Sequence, residues 1–354
     1  MKFISHQGDD CHTFFRDYLA ADRRGLLIGT LGFNDLCLHF PTVLASFDNV
    51  DFLFLVEDRP EVSEVLRQAA ERNREVLLQR LTGRKVVFQT IEIVADDTAN
   101  VAGRRAAAAC MKPMGDGYTD IFVDASSMSR GVCFPIAKQA HELAKRAGGA
   151  HAHVLVAGRT TSAVQAQGMS SDAPQYIHGF QADMGTEDVR TAIKLWIPQL
   201  SEGYVVSLSR IQRVLRPEES CPLLPFPSSD PRRADQLLKE FQEPLLNDWD
   251  VNLRDIIYAH ETDPMDVCET ITRIHCSRND AFRAATRREA RTVLSPAGTR
   301  IGSVGMLLAA LRLELPIMYE ESIGYTSDHV AVPPISEAPP EHVWHIWLSP
   351  SSPP

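Results

Sequence analysis

Residues 120–131 read Asp-Ile-Phe-Val-Asp-Ala-Ser-Ser-Met-Ser-Arg-Gly, and this stretch decides the fold class. Its apolar centre, Ile121 to Val123, is typical of a strand that is buried on both faces of a sheet. Small polar residues follow at once, and a helical pattern then runs to about Arg146. A buried strand that passes through a short polar loop into a helix is the repeating element of α/β proteins with a parallel sheet.

The same alternation of strands and helices extends outward from this stretch. On either side of it, strands are predicted at about 26–29, 51–56, 85–94 and 153–157. After about Gly203 the pattern starts again, with strands predicted at 221–226, 255–259, 291–294 and 315–319. The predicted fold class is therefore α/β, with two Rossmann-like parallel-sheet halves in pseudo-tandem repeat.

These halves set the predicted domain boundaries, and a chain of 354 residues is long enough for two domains. An N-terminal Rossmann-like domain is expected over residues 1–202 and a C-terminal one over 203–348. Within the second domain, residues 342–348 are expected to add an edge strand. Residues 349–354, rich in Ser and Pro, are expected to form a disordered tail.

Two local alignments support a repeat. Residues 122–130 align without gaps on residues 292–300, because both contain a strand, a small polar loop, and a hydroxyl-bearing residue followed by Arg. Residues 55–60 similarly resemble residues 259–264. Two explanations stay open: an internal duplication, or the strand–turn–helix spacing that any two Rossmann-like halves share.

Composition excludes several classes of protein. With 44% hydrophobic and 23% charged residues, the chain is typical of a globular protein and not of a disordered chain, a coiled coil or a collagen. No apolar run approaches the ~18 residues of a membrane span, and Asp9 and Asp10 precede any signal-peptide core. The seven cysteines are odd in number and form no CxxC pair, which favours a reduced, cytoplasmic protein.

The charge balance limits the partners. The chain carries 36 basic and 46 acidic residues, a net charge of −10. A chain this acidic does not present the broad basic face that non-specific nucleic-acid binding requires, so duplex nucleic acid is not expected as a partner. Local basic pairs such as Arg232-Arg233 still allow a pocket that binds one small anion.

Two hydroxyl-rich loops enter helices directly after buried strands, where ligands bind in open parallel sheets. A helix N-terminus there offers unpaired N–H groups and the positive end of the helix dipole, both suited to phosphate. The candidate ligand-binding residues of the first loop are Ser126, Ser127, Ser129 and Arg130, and those of the second are Ser295, Gly298, Thr299, Arg300 and Ser303. The alternative is ordinary helix capping, since Ser and Thr before helices stabilise many proteins by about 1 kcal/mol each.

A third candidate segment is the Gly-containing turn after the first strand. Gly29, Thr30, Gly32 and Asn34 are predicted to form a backbone wall of the same pocket. The turn lacks the full GxGxxG spacing, and no Lys-Ser/Thr pair follows as in a P-loop. The alternative is a tight turn that needs the backbone freedom of glycine.

Acidic residues at predicted strand ends are the candidates for catalysis, and Asp124 is foremost among them. Such carboxylates could hold a metal, but they are equally ordinary strand ends and helix caps, so no metal and no cofactor is predicted. HExxH, GxSxG and zinc-type Cys/His spacings are all missing from the sequence. His151 and His153 share one sheet face by their spacing and are expected to lie at the surface or a strand edge.

The repeated strand–loop–helix unit, with its polar loops at 124–130 and 295–303, resembles the CARF-type Rossmann-like sensor domains of bacterial antiviral defence systems. Those domains bind cyclic oligonucleotides in a cleft formed by two copies. The resemblance covers residues 25–160 and 220–325. Neither loop contains the Gly-Gly-Thr-Lys run of many such domains, and no winged helix or HEPN-type Arg-x4-6-His effector follows. The resemblance therefore implies that an effector is a separate protein or that there is none.

Together these features predict a cytoplasmic sensor or accessory protein that binds a phosphate-bearing, nucleotide-like ligand at a cleft between its halves. A homodimer stays open. One rival is a nucleotide hydrolase or phosphodiesterase that uses Asp124 with the loop 126–130, and another is a scaffold that binds only proteins. The likeness of the two loops and the lack of an obvious general base favour the sensor. Asp124 aligns with Leu294, and this asymmetry keeps the enzyme open.

Overall fold

The computed structural model describes residues 2–19, 22–95, 99–146, 148–159, 166–171, 173–181 and 192–348. The fold is α/β, as the sequence predicts. The chain separates into two compact units: unit 1 contains Met1–Ser170 and Ser322–Pro354, and unit 2 contains Ser171–Glu321. This division differs from the predicted boundary at residues 202/203, because the chain leaves unit 1 earlier and later returns to it.

Unit 1 is built on a seven-stranded, mostly parallel sheet. Its strands are β1 (Ile4–Gln7), β2 (Gly25–Leu31), β3 (Val50–Asp58), β5 (Val86–Glu92), β6 (Asp120–Asp124), β7 (His151–Gly158) and β17 (His342–Trp347). Their spatial order is β5-β3-β2-β6-β7-β17-β1, and the first five are parallel. The order reverses direction between β2 and β6, which is the switch point where open α/β sheets bind ligands.

Five helices in the described residues of unit 1 cover this sheet. They are α1 (Asp9–Tyr18), α2 (His39–Leu44), α3 (Glu64–Arg80), α4 (Ala102–Met114) and α5 (Arg130–Ala144). Helix α5 begins directly after the quoted loop, and its first eight residues are all buried. Every residue of β2 and β6 is buried as well. The apolar run and the apolar helix start therefore pack as the sequence predicts.

The C-terminal strand corrects a prediction. Residues 342–348 were expected at an edge, but β17 lies inside the sheet between β7 and β1 and is antiparallel to both. A smaller sheet in unit 1 joins β4 (Glu61–Val62), β16 (Ser322–Thr326) and β8 (Gln167–Ser170), in which Ser170 is the register partner of Ser322. The predicted tail at 349–354 lies outside the described residues.

Buried histidines correct a second prediction. His153 was expected near the surface, but it is fully buried and its Nδ1 lies 2.9 Å from Nε2 of His345. The chain of imidazoles continues to His6, whose Nδ1 lies 2.9 Å from His345 Nδ1. At the other end, His153 Nε2 lies 3.2 Å from Oδ1 of Asp120, which also accepts a hydrogen bond from Tyr18. Because a carboxylate only accepts, each imidazole in turn donates toward Asp120.

Unit 2 contains a second parallel arrangement of strands. Its strands are β9 (Gln175–Tyr176), β10 (Ile193–Pro198), β11 (Glu219–Ser220), β12 (Leu223–Pro225), β13 (Ile257–Ala259), β14 (Ala290–Ser295) and β15 (Met318–Tyr319). Strand β10 pairs with β11 and β14, and β12 pairs with β13, all in parallel. Bridges from Gln199 to Leu223 and from Leu294 to Ile317 extend the order to β13-β12-β10-β14-β15. The sequence analysis missed the central strand β10.

The helices that the structure describes in unit 2 are α6 (Val205–Leu215), α7 (Arg233–Glu240), α8 (Pro264–Thr286) and α9 (Arg300–Leu313). Helix α8 begins as its sequence predicts, since Asp263 accepts hydrogen bonds from the N–H groups of Met265 and Asp266. Helix α9 follows β14 as α5 follows β6, and it is buried from Ile301 to Leu311. Within the described residues, no helix is long and apolar enough to span a membrane.

Strand order tests the two alignments. In each unit the loop at 122–130 or 292–300 follows the fourth strand of the parallel set and lies beside the first. Residues 55–60 and 259–264 do not correspond in this way. Strand β3 is the second strand of its set and β13 is the third of its own. The first alignment thus joins equivalent positions, the second is wrong, and a duplication stays a prediction.

Candidate functional sites

Asp124 lies at the switch point of unit 1. Its Oδ1 accepts hydrogen bonds from the backbone N–H of Ser126 at 2.9 Å and from the Ser126 hydroxyl at 2.5 Å. The Ser126 Oγ in turn accepts from the N–H of Ala157 at 2.9 Å. Burial raises the pKa of Asp124 to about 7, although the hydrogen bonds from Ser126 lower it. Asp124 is therefore a carboxyl group that can gain or lose a proton near neutral pH.

The N-terminus of α5 is occupied by a side chain of the protein. The backbone N–H of Ser129 donates to Oε1 of Glu57 at 3.1 Å, and Arg59 pairs with the same carboxylate. Ser127 is half-buried, whereas Ser129 and Arg130 are buried. The Ser129 hydroxyl has no hydrogen-bond partner among the described residues. A phosphate at this helix end would have to displace Glu57.

The residues of the turn after β2 make hydrogen bonds within unit 1. Gly29 and Thr30 lie within β2, and the Thr30 hydroxyl donates to the carbonyl of Leu55 at 3.0 Å. Asn34 caps a short 3₁₀ helix by accepting from the N–H of Leu36. Gly32 has no atom near the place of a Cβ and no positive φ, so a larger residue would fit there. These four residues do not line the cavity of unit 2 described below, and their role as a pocket wall stays a prediction.

A later segment of the chain lies at this same edge of unit 1. Asp35, buried just beyond the turn, pairs through both oxygens with Arg159 Nη1 at 2.9 and 3.0 Å and accepts from the N–H of Ser336 at 2.9 Å. Arg159 also donates to the carbonyl of Ala338, and Arg72 donates to that of Pro333. These hydrogen bonds hold the segment 333–338 next to the carboxyl end of β2.

Unit 2 has a cavity at the corresponding edge of its own sheet. Its unfilled space, open mouth included, is about 330 Å³. The carboxyl ends of β10, β12 and β13 and the loop before α9 all contribute to it. The polar lining residues are Gln199, Ser201, Arg233, His260, Glu261 and Thr299. The position agrees with the expected one for a ligand in an open parallel sheet.

The structure brings only part of the second predicted loop to this cavity. Gly298 and Thr299 line it, whereas Ser295, Arg300 and Ser303 do not belong to its lining. The hydroxyl of Ser295 accepts instead from the indole N–H of Trp196 at 2.9 Å. The Thr299 hydroxyl accepts from the N–H of Gly302 at 3.1 Å and donates to a backbone carbonyl, so it is a helix cap.

Gln199 is a lining residue that the sequence analysis missed. Its Oε1 accepts from the N–H of Gly298 at 3.2 Å. A Cβ at Gly298 or at Gly302 would overlap the Gln199 side chain, so glycine at both positions lets the amide lie over the start of α9. The two glycines, spaced by one helical turn, are the sequence signal for this close approach.

The acid of the cavity is already hydrogen-bonded. Glu261 Oε1 lies 3.0 Å from Nε of Arg233, and its Oε2 accepts from both the N–H and the hydroxyl of Ser229 at 3.1 Å. The two terminal amino groups of Arg233 have no acceptor among the described residues. Both oxygens of Glu261, the one carboxylate in the lining, therefore already accept hydrogen bonds. The guanidinium of Arg233 keeps N–H donors that a ligand could use.

The remaining polar groups of the lining are also donors. Nδ1 of His260 accepts from the N–H of Thr262 at 3.2 Å, which places the proton of a neutral ring on Nε2. The Nε2 amide group of Gln199 has no acceptor in the part of the chain that the structure describes. A lining that combines a guanidinium with further N–H donors is complementary to an anion.

Metal binding has no support in this geometry. Within the described ranges, no group of three or more His, Cys, Asp or Glu side chains is arranged to hold a metal ion. Arg233 was visible in the sequence as part of a basic pair, and Glu261 as an acid at a strand end. Their convergence with Gln199 depends on the pairing of strands that lie far apart in the chain.

Comparisons with known proteins do not assign a family. No family model matches the sequence, and no curated protein matches it. Among solved structures, the chain is similar to E. coli MccB crystallised with selenomethionine MccA, at 10% identity and a TM-score of 0.24. That alignment covers 66% of this chain and 57% of the other, so it spans little more than half of MccB. The chain is also similar to O-ureido-L-serine synthase at 12% identity and a TM-score of 0.20, covering 88% of this chain and 76% of that one. Similarity this low carries no argument about function.

Proposed function

We propose that the chain is a sensor or accessory protein that binds a phosphate-bearing, nucleotide-like ligand in the cavity of unit 2. The observation that carries the proposal is the hydrogen-bonding inventory of the lining. Arg233, His260 and Gln199 offer donors, while Glu261 is already engaged through both oxygens. A phosphate supplies the negative charge and the several acceptor oxygens that complement this lining.

The position of the cavity supports the same conclusion. It lies at the carboxyl ends of parallel strands, where α/β proteins bind nucleotides. It also lies beside the first turn of α9, whose 14 residues place the positive end of the helix dipole near the cavity. The group that accepts from the N–H of Gly298, just before this turn, is the neutral amide of Gln199, and the one carboxylate of the lining, that of Glu261, is paired with Arg233.

The nucleotide-like character of the ligand and the signalling role rest on the resemblance to CARF-type domains. That resemblance also implies a separate effector protein within a bacterial defence or signalling system. A ligand shared by the loops of both units stays a prediction.

The proposal is tested by calorimetric titration of the full chain with inorganic pyrophosphate. Replacement of Arg233 by Gln should weaken binding by about 10- to 150-fold, since hydrogen bonds to charged groups contribute roughly 1.5–3 kcal/mol. Binding to the native chain should also weaken as salt rises, because salt screens exposed charges over ~10 Å at 0.1 M.

The matched control is Arg213→Gln, which removes an exposed charge on α6 of the same unit. Thermal melting of both variants establishes that they are folded, which matters because Arg233 also pairs with Glu261. Failure of pyrophosphate to bind the native chain, or equal losses in the two variants, contradicts the proposal.

One observation favours a second candidate, a nucleotide hydrolase or phosphodiesterase in unit 1. Asp124 is buried at the switch point, and its pKa of about 7 suits a group that transfers protons at neutral pH. In that case Asp124→Asn should abolish turnover of a nucleotide while Asp58→Asn, at an exposed strand end, should retain it. Phosphate release from a panel of nucleotides measures both. No turnover in the native chain rejects this candidate.

A further inference from the structure

Two exposed aromatic rings lie beside the cavity of unit 2. Phe226 is 54% exposed and Tyr258 is 46% exposed, and no other Phe, Tyr or Trp among the described residues is exposed to this degree. The rings contact each other edge to face, with centroids 6.2 Å apart and planes at 76°. Exposed aromatic area that is gathered in one place, and not scattered, often marks a site of interaction.

Strand register places these rings next to the lining of the cavity. Leu224 and Tyr258 are directly paired across β12 and β13, as are Pro225 and Ala259. Leu224, Pro225 and Ala259 all line the cavity, and Phe226 is the next residue after Pro225. Paired residues of adjacent strands lie on the same face about 5 Å apart, so Tyr258 shares a face with Leu224.

The two features together define a composite site. The cavity offers N–H donors and a guanidinium, which bind phosphate, whereas the adjacent surface offers two aromatic side chains that are about half exposed. A flat heteroaromatic ring stacks on such side chains without needing a particular pattern of hydrogen bonds. A ligand that carries both a phosphate and a heteroaromatic base would contact both parts of this surface.

From this we infer that Phe226 and Tyr258 form a stacking platform for the base of the ligand whose phosphate is bound in the cavity. The inference rests on the proposed function and adds the substrate class, a nucleotide with an exposed purine-sized ring. It also adds two residues that no sequence motif indicated.

The experiment compares two probes that differ only by the base: adenosine monophosphate and ribose 5-phosphate, each titrated calorimetrically into the full chain. Stacking on aromatic side chains should make the nucleotide bind about tenfold more tightly than the sugar phosphate. In the double variant Phe226→Leu/Tyr258→Leu, which keeps apolar side chains but removes both rings, this ratio should fall to about one. Affinity for ribose 5-phosphate should not change.

The matched control is Val214→Ala, an exposed apolar residue of α6 outside the lining, which should preserve the tenfold ratio. A ratio near one in the native chain, or a ratio unchanged in the double variant, overturns the stacking platform but leaves the anion site standing. If neither probe binds and pyrophosphate does not bind either, the proposed function fails and the platform fails with it.

Discussion

The loops that lead into α5 and α9 follow equivalent strands in the two units, yet different side chains accept hydrogen bonds from their backbone. In unit 1 the carboxylate of Glu57 accepts from the N–H of Ser129, whereas in unit 2 the amide of Gln199 accepts from the N–H of Gly298. A carboxylate neutralises the helix dipole and repels a second anion, and an amide does neither. An anion would therefore meet a carboxylate at the start of α5 and a neutral amide just before the start of α9, and binding of an anion in unit 2 stays a proposal.

The sheet edges next to these two loops also differ in how accessible they are. The edge of unit 1 is covered by its own segment 333–338, held by Asp35, Arg72 and Arg159. The edge of unit 2 keeps a cavity with Arg233 in its lining. The difference teaches that equivalent topology does not imply equivalent ligand binding, because a few side chains decide whether a helix end is satisfied internally.

The largest expected effect is that acidification lowers the stability of unit 1 more than that of unit 2. Burial lowers the pKa of His153, partly opposed by Asp120, and burial with the neighbouring imidazoles holds that of His345 well below its ordinary value. The unfolded chain binds protons at an ordinary pKa of about 6.5, so unit 1 keeps its full stability above that pH and loses it as the pH falls. A histidine that stays neutral in the folded chain lowers the stability by about 2 kcal/mol at pH 5 relative to neutral pH.

Hydrogen exchange of the amides in β17 and β10, measured from pH 7 to pH 5, follows the two units separately. The comparable group of unit 2, His275, is only partly buried. The variant His153→Gln/His345→Gln should be less stable at pH 7 and should lose less stability than the native chain on acidification. Part of the loss remains because burial also lowers the pKa of His39 and of His141, in the same unit, to about 4. His151→Gln should keep the native pH dependence. Equal acid slopes in the double variant and the native chain would show that these imidazoles do not set it.

A smaller difference in stability is expected between glycine-to-alanine substitutions in the two units. Gly302→Ala places a Cβ against the terminal amide of Gln199, which must move aside and lose its hydrogen bond to the N–H of Gly298, so the loss of stability should be about 1 kcal/mol. Gly32→Ala in unit 1 meets no atom within 4 Å and should change stability by less than about 0.5 kcal/mol. Urea denaturation measures both. In the Gln199→Ala background, Gly302→Ala should add little further loss, and an additional loss equal to that in the native chain would place the clash elsewhere.

The parts of the fold that the sequence predicts well are those with continuous apolar strands. The segments β6–α5 and β14–α9 follow from their apolar runs and from the polar loop between them. Strand β10 was not predicted because Lys194 interrupts its apolar run and Pro198 ends it. Strand β17 looked like an edge because His345 is polar, and its burial depends on His153, which lies 192 residues away in the chain.

The predicted site was a cleft shared by both halves, which stays a prediction, and the cavity of unit 2 contains only part of the predicted residues. The carboxyl ends of the strands and the loop before α9 were the expected location, and Gly298 and Thr299 line the cavity there. The hydroxyl groups of Thr30 and Ser295 instead bond within the protein. Local patterns show that a hydroxyl precedes a helix, but they do not show which distant donor or acceptor satisfies it.

The pairing of Ser170 with Ser322 has a consequence for the order in which the chain can fold during synthesis. Unit 2 is continuous in sequence, so all of its strands leave the ribosome before β16 and β17 are made. Until then the imidazole of His153 has no His345 to contact, and β7 keeps an unpaired edge. In an incomplete chain, unit 2 can therefore be folded while the sheet of unit 1 still lacks β17. The sheet is completed only when β17 pairs with β7, and this pairing covers a strand edge that would otherwise favour aggregation.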